Sequence, residues 1–345
     1  MKKGTCILLV YAILMTLLVF APFTANANEK DIASTGEIID SGITGDCTWT
    51  LDDKGLLTIS GNGEMDSSSR HPWGYDSVKS IVIENGVTSI GNAAFYECMK
   101  LTSIDIPDSV TSIGSSAFYA CKSLTSISIP NSVTSIGSSA FDNCYGLKSI
   151  DIPNSVTSIG SSAFAYCSAL SKVSIPDSVE SIGSHTFSGC KGLTNIDIPD
   201  SVKSIGSYAF YNCTGLTSID IPDSVQSIGD SAFYGASITS VTIPVTVTEI
   251  YEKAFGYYDK QDFGETKVKD FTIYGYTDSE AERYANDNNF IFVALDEPSD
   301  PTSSTKRDFF GDIDGDGKVT VLDATAIQRY TAEIDTPYPI GDKIK

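Results

Sequence analysis

Histidine is almost absent from this chain, with only His71 and His185 in 345 residues. Nothing in the sequence places a second catalytic group beside either one, so chemistry that turns on an imidazole base has little to stand on. His185 also fills a place taken by Ser116, Ser139, Ser162 and Tyr208 in equivalent stretches, which reads as a solvated surface position. Basic residues are scarce too: 23 Lys and Arg face 44 Asp and Glu, a net charge of −21. Such a balance disfavours nucleic acid and anionic membrane surfaces. It favours solubility and divalent cations, and because the acids are spread along the chain they read mostly as a solvated surface. Beyond residue 23 there is no run long and apolar enough to cross a bilayer. No cysteine pair has zinc-finger spacing, and no histidine lies near the cysteine series described below, so a structural zinc site is not expected.

What is present begins with a secretory leader. Lys2 and Lys3 precede an apolar stretch from Cys6 to Phe23 and the small residues Ala25-Asn26-Ala27. The small-x-small site points to cleavage after Ala27, with a single signal-anchor helix as the alternative. Removal leaves 318 residues and a net charge of about −23.

Six of the eight cysteines recur at one interval of 23 residues: Cys98, Cys121, Cys144, Cys167, Cys190 and Cys213. The same side chain returning once per unit reads as a buried column of reduced thiols in a stacked array, with disulfides between neighbouring coils as the alternative. Leu101, Leu124, Leu147, Leu170, Leu193 and Leu216 start units close to Leu-Thr-Ser-Ile-x-Ile-Pro-x-Ser-Val-x-Ser-Ile-Gly-x-x-Ala-Phe-x-x-Cys. Within a unit, Leu101, Ile104 and Ile106 share one face of a short strand while Thr102, Ser103 and Asp105 look outward. Pro107 ends the strand, and Asp108-Ser109 supplies oxygens that close a turn. Val110 and Ile113 turn inward again. Gly114 is expected at a backbone position that other residues tolerate poorly, and Ser-Ser-Ala-Phe suits a short helical turn driving Phe118 inward. Phenylalanine thus forms a second column, from Phe95 through Phe118, Phe141, Phe164, Phe187 and Phe210 to Phe233.

No unit buries its apolar face alone, so the ends require lids. Cys47–Leu51 and Leu56–Ser60 around Asp52-Asp53-Lys54-Gly55 read as a β-hairpin cap. Ser279 to Asn286 reads as a capping helix, followed by a strand at Phe290 to Leu295.

These strings resemble the BspA-like leucine-rich-repeat proteins over about Gly45 to Leu295. The resemblance implies a right-handed solenoid used for surface recognition or adhesion, and it brings no enzymatic residues. The expected fold is an α/β-type repeat solenoid of 23-residue coils. Its divisions are a leader at 1–27, a linker at 28–44, an N-terminal cap with a degenerate repeat at 45–100, six regular repeats at 101–238, and a degenerate repeat with the C-terminal cap at 239–295.

A Pro/Ser/Thr-containing tether follows at 296–310, and then a different signature. Asp312-Ile313-Asp314-Gly315-Asp316-Gly317-Lys318-Val319-Thr320-Val321-Leu322-Asp323 fits a twelve-residue Ca²⁺ loop. Asp312, Asp314, Asp316 and Asp323 would supply carboxylates, Lys318 its carbonyl, and Thr320 a water-mediated contact, while Gly317 permits the sharp turn. An acidic, glycine-containing surface turn is the plainer reading. With Asp323 last and Ala-Thr-Ala-Ile-Gln-Arg-Tyr after it, the segment resembles a type I dockerin repeat over about Gly311 to Ile334. The resemblance implies a small EF-hand-like loop-helix at 311–345 that docks onto a cohesin module of a cellulosome scaffold, with Val321, Leu322, Gln328 and Arg329 at the recognition places. Dockerins carry two such loops and only one is found here, which reads either as a truncated pair or as half a dockerin that pairs in trans.

Two further surface features stand out. Asp105, Asp151, Asp197 and Asp220 face outward, and Asp197 and Asp220 fall on adjacent coils about 5 Å apart. Paired carboxylates can serve glycoside hydrolysis, but with no evident cleft or stacking aromatics these read as a solvated face. Tyr96, Tyr119, Tyr211 and Tyr234 follow the phenylalanine column, interrupted by Asp142, Ala165 and Ser188, and read as edge packing more than as a binding platform. The expectation is therefore a secreted, non-catalytic recognition protein bound to a scaffold through Ca²⁺, its solenoid contacting a protein or a cell-wall polysaccharide. A free or cell-associated adhesin with a merely structural calcium loop is the alternative, and a polysaccharide-acting enzyme comes third.

Overall fold

The computed structural model describes residues 36–67, 72–74, 76–260 and 264–296. Each coil offers its neighbours three edges. The first is the short strand at Ser-Ile-x, as in Ser126–Ser128, Ser149–Asp151 and Lys172–Ser174, which pair in parallel and in exact 23-residue register. The second is a two-residue strand before the repeat glycine, as in Ser112–Ile113, Ser135–Ile136 and Ser158–Ile159, again parallel. Between them, Pro107 opens a tight turn closed by the Val110 N–H on the Pro107 carbonyl at 3.1 Å, a geometry that every regular coil repeats.

Ser109 does not close that turn as the sequence suggested. Its hydroxyl donates to the Val87 carbonyl of the preceding coil at 2.7 Å, and Ser132, Ser155, Ser178, Ser201 and Ser224 do the same one coil further each time. The serine of Pro-x-Ser-Val is thus a clamp between coils, satisfying a carbonyl that lies between the two strands.

The third edge is the corner from Gly114 to Cys121, and it corrects the helical turn expected there. Three overlapping reverse turns close through Ala117 N–H to Gly114 O, Tyr119 N–H to Ser116 O and Cys121 N–H to Phe118 O. The alternate amides of Ser116, Phe118 and Ala120 point the other way and donate to Ser138, Ala140 and Asp142 of the next coil at 2.7–2.8 Å. A helix would spend every N–H inside its own coil. The alternating path needs positive φ at Ser116 (55°) and Ala120 (56°), and the equivalents Ser139, Asn143, Ser162, Tyr166, His185, Tyr208 and Asn212 share it. None of these is β-branched, as the left-handed region demands.

The repeat glycine is required for a reason other than φ. A Cβ on Gly137 would lie 2.4 Å from Ser115 N and 2.6 Å from Gly114 C, so coil backbones touch along this column. One coil departs. Gly183 has no neighbouring backbone nearer than 3.7 Å, and the second-edge ladder stops at Ser158–Ile159 and restarts at Ser181–Ile182. Thr186 stands there in place of the usual Ala and donates its hydroxyl to the Gly183 carbonyl at 2.8 Å.

Inside, the phenylalanine rings stack at 4.7–5.6 Å from Phe95 to Phe255. Each is buried, worth about 1.5–3 kcal/mol. Trp73 takes the phenylalanine place in the first coil, 5.8 Å from Phe95, and Trp49 of the cap packs edge-on against it at 5.6 Å.

The N-terminal lid is the expected hairpin, β2 (Cys47–Asp52) and β3 (Leu56–Gly61), extended by an edge strand β1 (Ile38–Thr44) in the stretch expected to be a linker. Asp52 fixes the hairpin turn by accepting from the amides of Lys54 and Leu56 at 3.0 and 2.8 Å. Strand β3 then pairs in parallel with Ser80–Ile83 and starts the coil stack.

At the other end, helix α1 (Glu280–Asn288) has Ser279 as N-cap and Asn289 in the left-handed conformation as C-cap, ending two residues later than the sequence suggested. It connects Thr272–Gly275 to the parallel strand Ile291–Ala294, and a hairpin, Tyr257–Lys260 with Gly264–Lys267, precedes this unit. The helix supplies what a further coil would have offered. The Tyr284 hydroxyl accepts from Phe255 N–H at 3.0 Å and donates to Phe255 O at 3.1 Å, and Glu280 accepts from Ile250 N–H at 3.1 Å. Apart from α1 the described residues are strands and turns, so the α/β expectation gives way to a β-solenoid with one capping helix.

Three substitutions test this account. Gly137→Ala is expected to lower unfolding free energy by about 3 kcal/mol, whereas Gly183→Ala changes it by less than about 1 kcal/mol, both read from urea denaturation. Tyr284→Phe leaves a buried amide and carbonyl unsatisfied and is expected to lose about 1–3 kcal/mol in the same assay.

Candidate functional site

The cysteine column lies directly behind the corner. Cys121, Cys144, Cys167, Cys190 and Cys213 are buried and free, and each thiol donates to the carbonyl of the preceding coil's phenylalanine at 3.1–3.2 Å. Burial pushes the Cys98, Cys144 and Cys213 thiols up to about 12 and raises Cys121, Cys167 and Cys190 well above their usual value. A neutral buried thiol is neither a nucleophile nor a metal ligand, so this column is structural. Among the described residues no group of three or more His, Cys, Asp or Glu is placed to hold a metal ion.

On the first edge the outward carboxylates are exposed, and the stretches carrying Asp197 and Asp220 form no strand at all. No pairing therefore holds these two carboxylates at the 5 Å strand spacing expected.

The corner carries the chemistry that breaks the repeat. Tyr96 stacks on Tyr119 at 4.7 Å, Tyr211 on Tyr234 at 5.3 Å, and His185 on Tyr208 at 4.7 Å, with Tyr208 edge-on to Tyr211 at 5.6 Å. The tyrosines of the stripe pack face to face in two separate pairs along the coil edge, and His185 adds an exposed ring stacked on Tyr208. His71 lies outside the described residues.

Between the two tyrosine stacks sits a polar network that the sequence reading passed over as an interruption. Asp142 is half-buried; its Oδ1 accepts from Asn143 Nδ2 at 2.9 Å, and the Asn143 Oδ1 accepts from the Tyr145 hydroxyl at 2.6 Å. The Lys122 ammonium lies 5.8 Å from the centre of the Tyr145 ring. Desolvation pushes the Asp142 carboxyl up to about 6, against hydrogen bonds from Asn143 and Ser139 that favour the carboxylate. The signal was available in the sequence: an acid and an aromatic at two positions that neighbouring coils fill with other residues. Tyr166, exposed, lies over Gly189, where a Cβ would meet its ring at 2.6 Å. Ser188 is buried beside it, and its hydroxyl has no hydrogen-bond partner.

The metal candidates Asp312, Asp314, Asp316, Lys318, Thr320 and Asp323, and the docking candidates Val321, Leu322, Gln328 and Arg329, lie outside the described residues.

A stack of short parallel strands around leucine, isoleucine and phenylalanine columns, closed by dissimilar lids, defines a leucine-rich-repeat protein. More narrowly, the chain belongs to the BspA-type leucine-rich repeat family: the family described as "BspA type Leucine rich repeat region" matches in six copies over residues 73–194 and 190–262. A leucine-rich repeat protein from Bacteroides ovatus ATCC 8483 is 28% identical over 74% of this chain and 67% of its own, with a TM-score of 0.52. The T. pallidum leucine rich repeat protein is 28% identical over 46% of this chain and 83% of its own, at a TM-score of 0.36. A leucine rich cell surface protein from Faecalibacterium prausnitzii A2-165 is 20% identical over 65% and 96%, at 0.28. No curated protein matches the chain. Proteins of this family are typically cell-surface or secreted and generally non-enzymatic. No helix among the described residues is long and apolar enough to cross a membrane.

The thiol column yields a direct check. The repeat cysteines are expected to resist an aromatic disulfide reagent in the folded protein at mildly alkaline pH and to react in parallel with urea unfolding, followed by absorbance.

Proposed function

We propose that this chain is a secreted, non-catalytic recognition protein whose solenoid surface binds an extracellular protein or cell-wall polysaccharide and whose tail tethers it to a multi-enzyme scaffold. The observation that supports recognition is the corner face, where Tyr145, Tyr166 and His185 are exposed on an outward surface that is mostly polar and charged. Tyrosine combines a large apolar face with a polar tip, which suits it to contact work on a rigid frame. Backbone bonds between coils hold that frame, so outward side chains are free to serve a ligand.

The tethering half rests on sequence. Asp312, Asp314, Asp316 and Asp323 stand at the spacing of a Ca²⁺ loop, with Lys318 and Thr320 completing the oxygen set. Val321, Leu322, Gln328 and Arg329 fall where a type I dockerin meets its cohesin. A lone loop-helix buries little apolar area, so Ca²⁺ or the partner would supply much of its ordering free energy. The single loop favours a second reading, in which the chain is a free or cell-associated adhesin and calcium merely stabilises the C-terminus.

Calcium-dependent capture on a panel of cohesin modules separates the two. The full chain is expected to bind at least one cohesin in Ca²⁺ and to lose at least about tenfold in affinity when chelator is added or when Asp312→Ala and Asp314→Ala are combined. No capture across the panel would leave the adhesin reading in place of the scaffold one.

A further inference from the structure

The regular corner places a tyrosine or a small residue immediately after each phenylalanine, and Asp142 is the one acid in that column between Tyr96 and Tyr234. Because the Tyr119 ring is stacked on Tyr96 with only 6° between the planes, its opposite face is turned toward the Asp142 coil. In the same way Tyr211 is stacked on Tyr234 and turns its opposite face toward Ser188. Asp142, Ala165 and Ser188 thus form a tyrosine-free stretch walled at both ends by an aromatic face. At its far end Ser188 has a hydroxyl without a hydrogen-bond partner.

The polar atoms at the near end are held in place from several sides. Asp142 takes bonds from the side chain and the backbone of Asn143 and one from the Ser139 hydroxyl, out of about four lone-pair sites on a carboxylate. Its remaining acceptor sites have no ion pair among the described residues. Asn143 keeps one amide N–H beyond the bond to Asp142, and its carbonyl anchors Tyr145, whose ring is 43% exposed. The set therefore combines free carboxylate acceptors, an amide donor and flat tyrosine faces within one coil and its neighbour.

We propose that Asp142, Asn143 and Tyr145, with Tyr119 as a wall, form a subsite for a neutral, hydroxyl-rich sugar unit of an extracellular glycan. This deepens the recognition reading and rests on it. Adjacent sugar hydroxyls donate to the Asp142 carboxylate, another hydroxyl accepts from Asn143, and the C–H face of the ring lies on tyrosine. An anionic glycan is disfavoured by the unpaired carboxylate and by the net charge of −21. A protein anchor would need a broad desolvated apolar centre, and here Ala165 is the apolar floor. A metal ion would need more ligands than the described residues bring together.

The test uses substitutions that the repeat itself tolerates. D142Y restores the residue found at Tyr119 and Tyr211, and Y145S restores the residue found at Ser168. The full chain, assayed on an array of neutral gluco-, xylo-, manno- and galacto-oligosaccharides, is expected to bind at least one series. D142Y and Y145S are each expected to weaken that binding by about tenfold or more while thermal unfolding stays unchanged or improves.

Binding is also expected to weaken as pH falls through about 6, where Asp142 gains a proton and becomes a donor. Ser139 and Asn143 face it without titrating, the thiols of Cys144, Cys167 and Cys190 stay neutral, and Lys122 lies over the Tyr145 ring. Glycan binding that D142Y leaves intact would overturn the subsite. So would capture of cell-wall or protein material by wild type and D142Y alike, although recognition by the solenoid would then stand. Failure to bind any of these surfaces would overturn both.

Discussion

Every second amide of the corner donates to a carbonyl of the next coil, and this ladder runs unbroken from Ala93 to Gly235 while the sheets on the other two edges are interrupted. The rest of the structure depends on it. It fixes the coil spacing, so that phenylalanine rings stack at their contact distance and each thiol meets the carbonyl of the phenylalanine one coil back. It also dictates the left-handed residues on either side of each phenylalanine, since only that path turns alternate N–H groups outward along the stack. A left-handed non-glycine residue costs about 1–2 kcal/mol, and bonds within and between coils offset it at each step.

Backbone bonds between coils explain why the interior repeats so strictly and the exterior does not. Glycine, serine, phenylalanine and cysteine each touch a neighbouring coil's backbone or ring, so a change at one of them is felt in two coils. Between them the leucines, isoleucines, valines and alanines fill the core, and outward residues such as Asp142 and Tyr145 are where the coils differ. On the inner side, Thr186 replaces the usual alanine and bonds the Gly183 carbonyl of its own coil, and the second-edge ladder is absent at the same joint. Asp142 shows the consequence on the outer side, where the corner ladder passes through Asp142 O undisturbed and the carboxylate is left for other purposes.

Much of this was legible in the sequence for a physical reason: a residue that must meet its own copy every 23 positions is marked by its period. The phenylalanine and cysteine columns, the hairpin at Asp52 to Gly55 and the helix capped by Ser279 were all readable in that way or from capping chemistry. The corner was misread as a helical turn because Ser-Ser-Ala-Phe is compatible with one when only local bonding is weighed. The absence of β-branched residues at the left-handed places was the available warning. Ser109 was misread for the same reason, since its partner is 22 residues away and invisible to local turn rules. Strand β1 was missed because its pairing partner, not its own pattern, makes it a strand.

The candidate site was less legible because a site in a repeat protein is a departure from the period, and the period itself supplies the reading. Asp142 and Tyr145 look like noise when the units are aligned to find what they share. They acquire meaning once the stack shows which column each has left: Asp142 leaves a tyrosine stack whose exposed faces remain on both sides, and Tyr145 is tied to it through Asn143. The interior of such a solenoid therefore states the fold, and the functional question moves to those outward positions where one coil differs from its neighbours while its backbone bonds stay intact. Asp142 meets both conditions, whereas Thr186, which differs from its neighbours at a joint where a ladder is absent, is read as a structural irregularity.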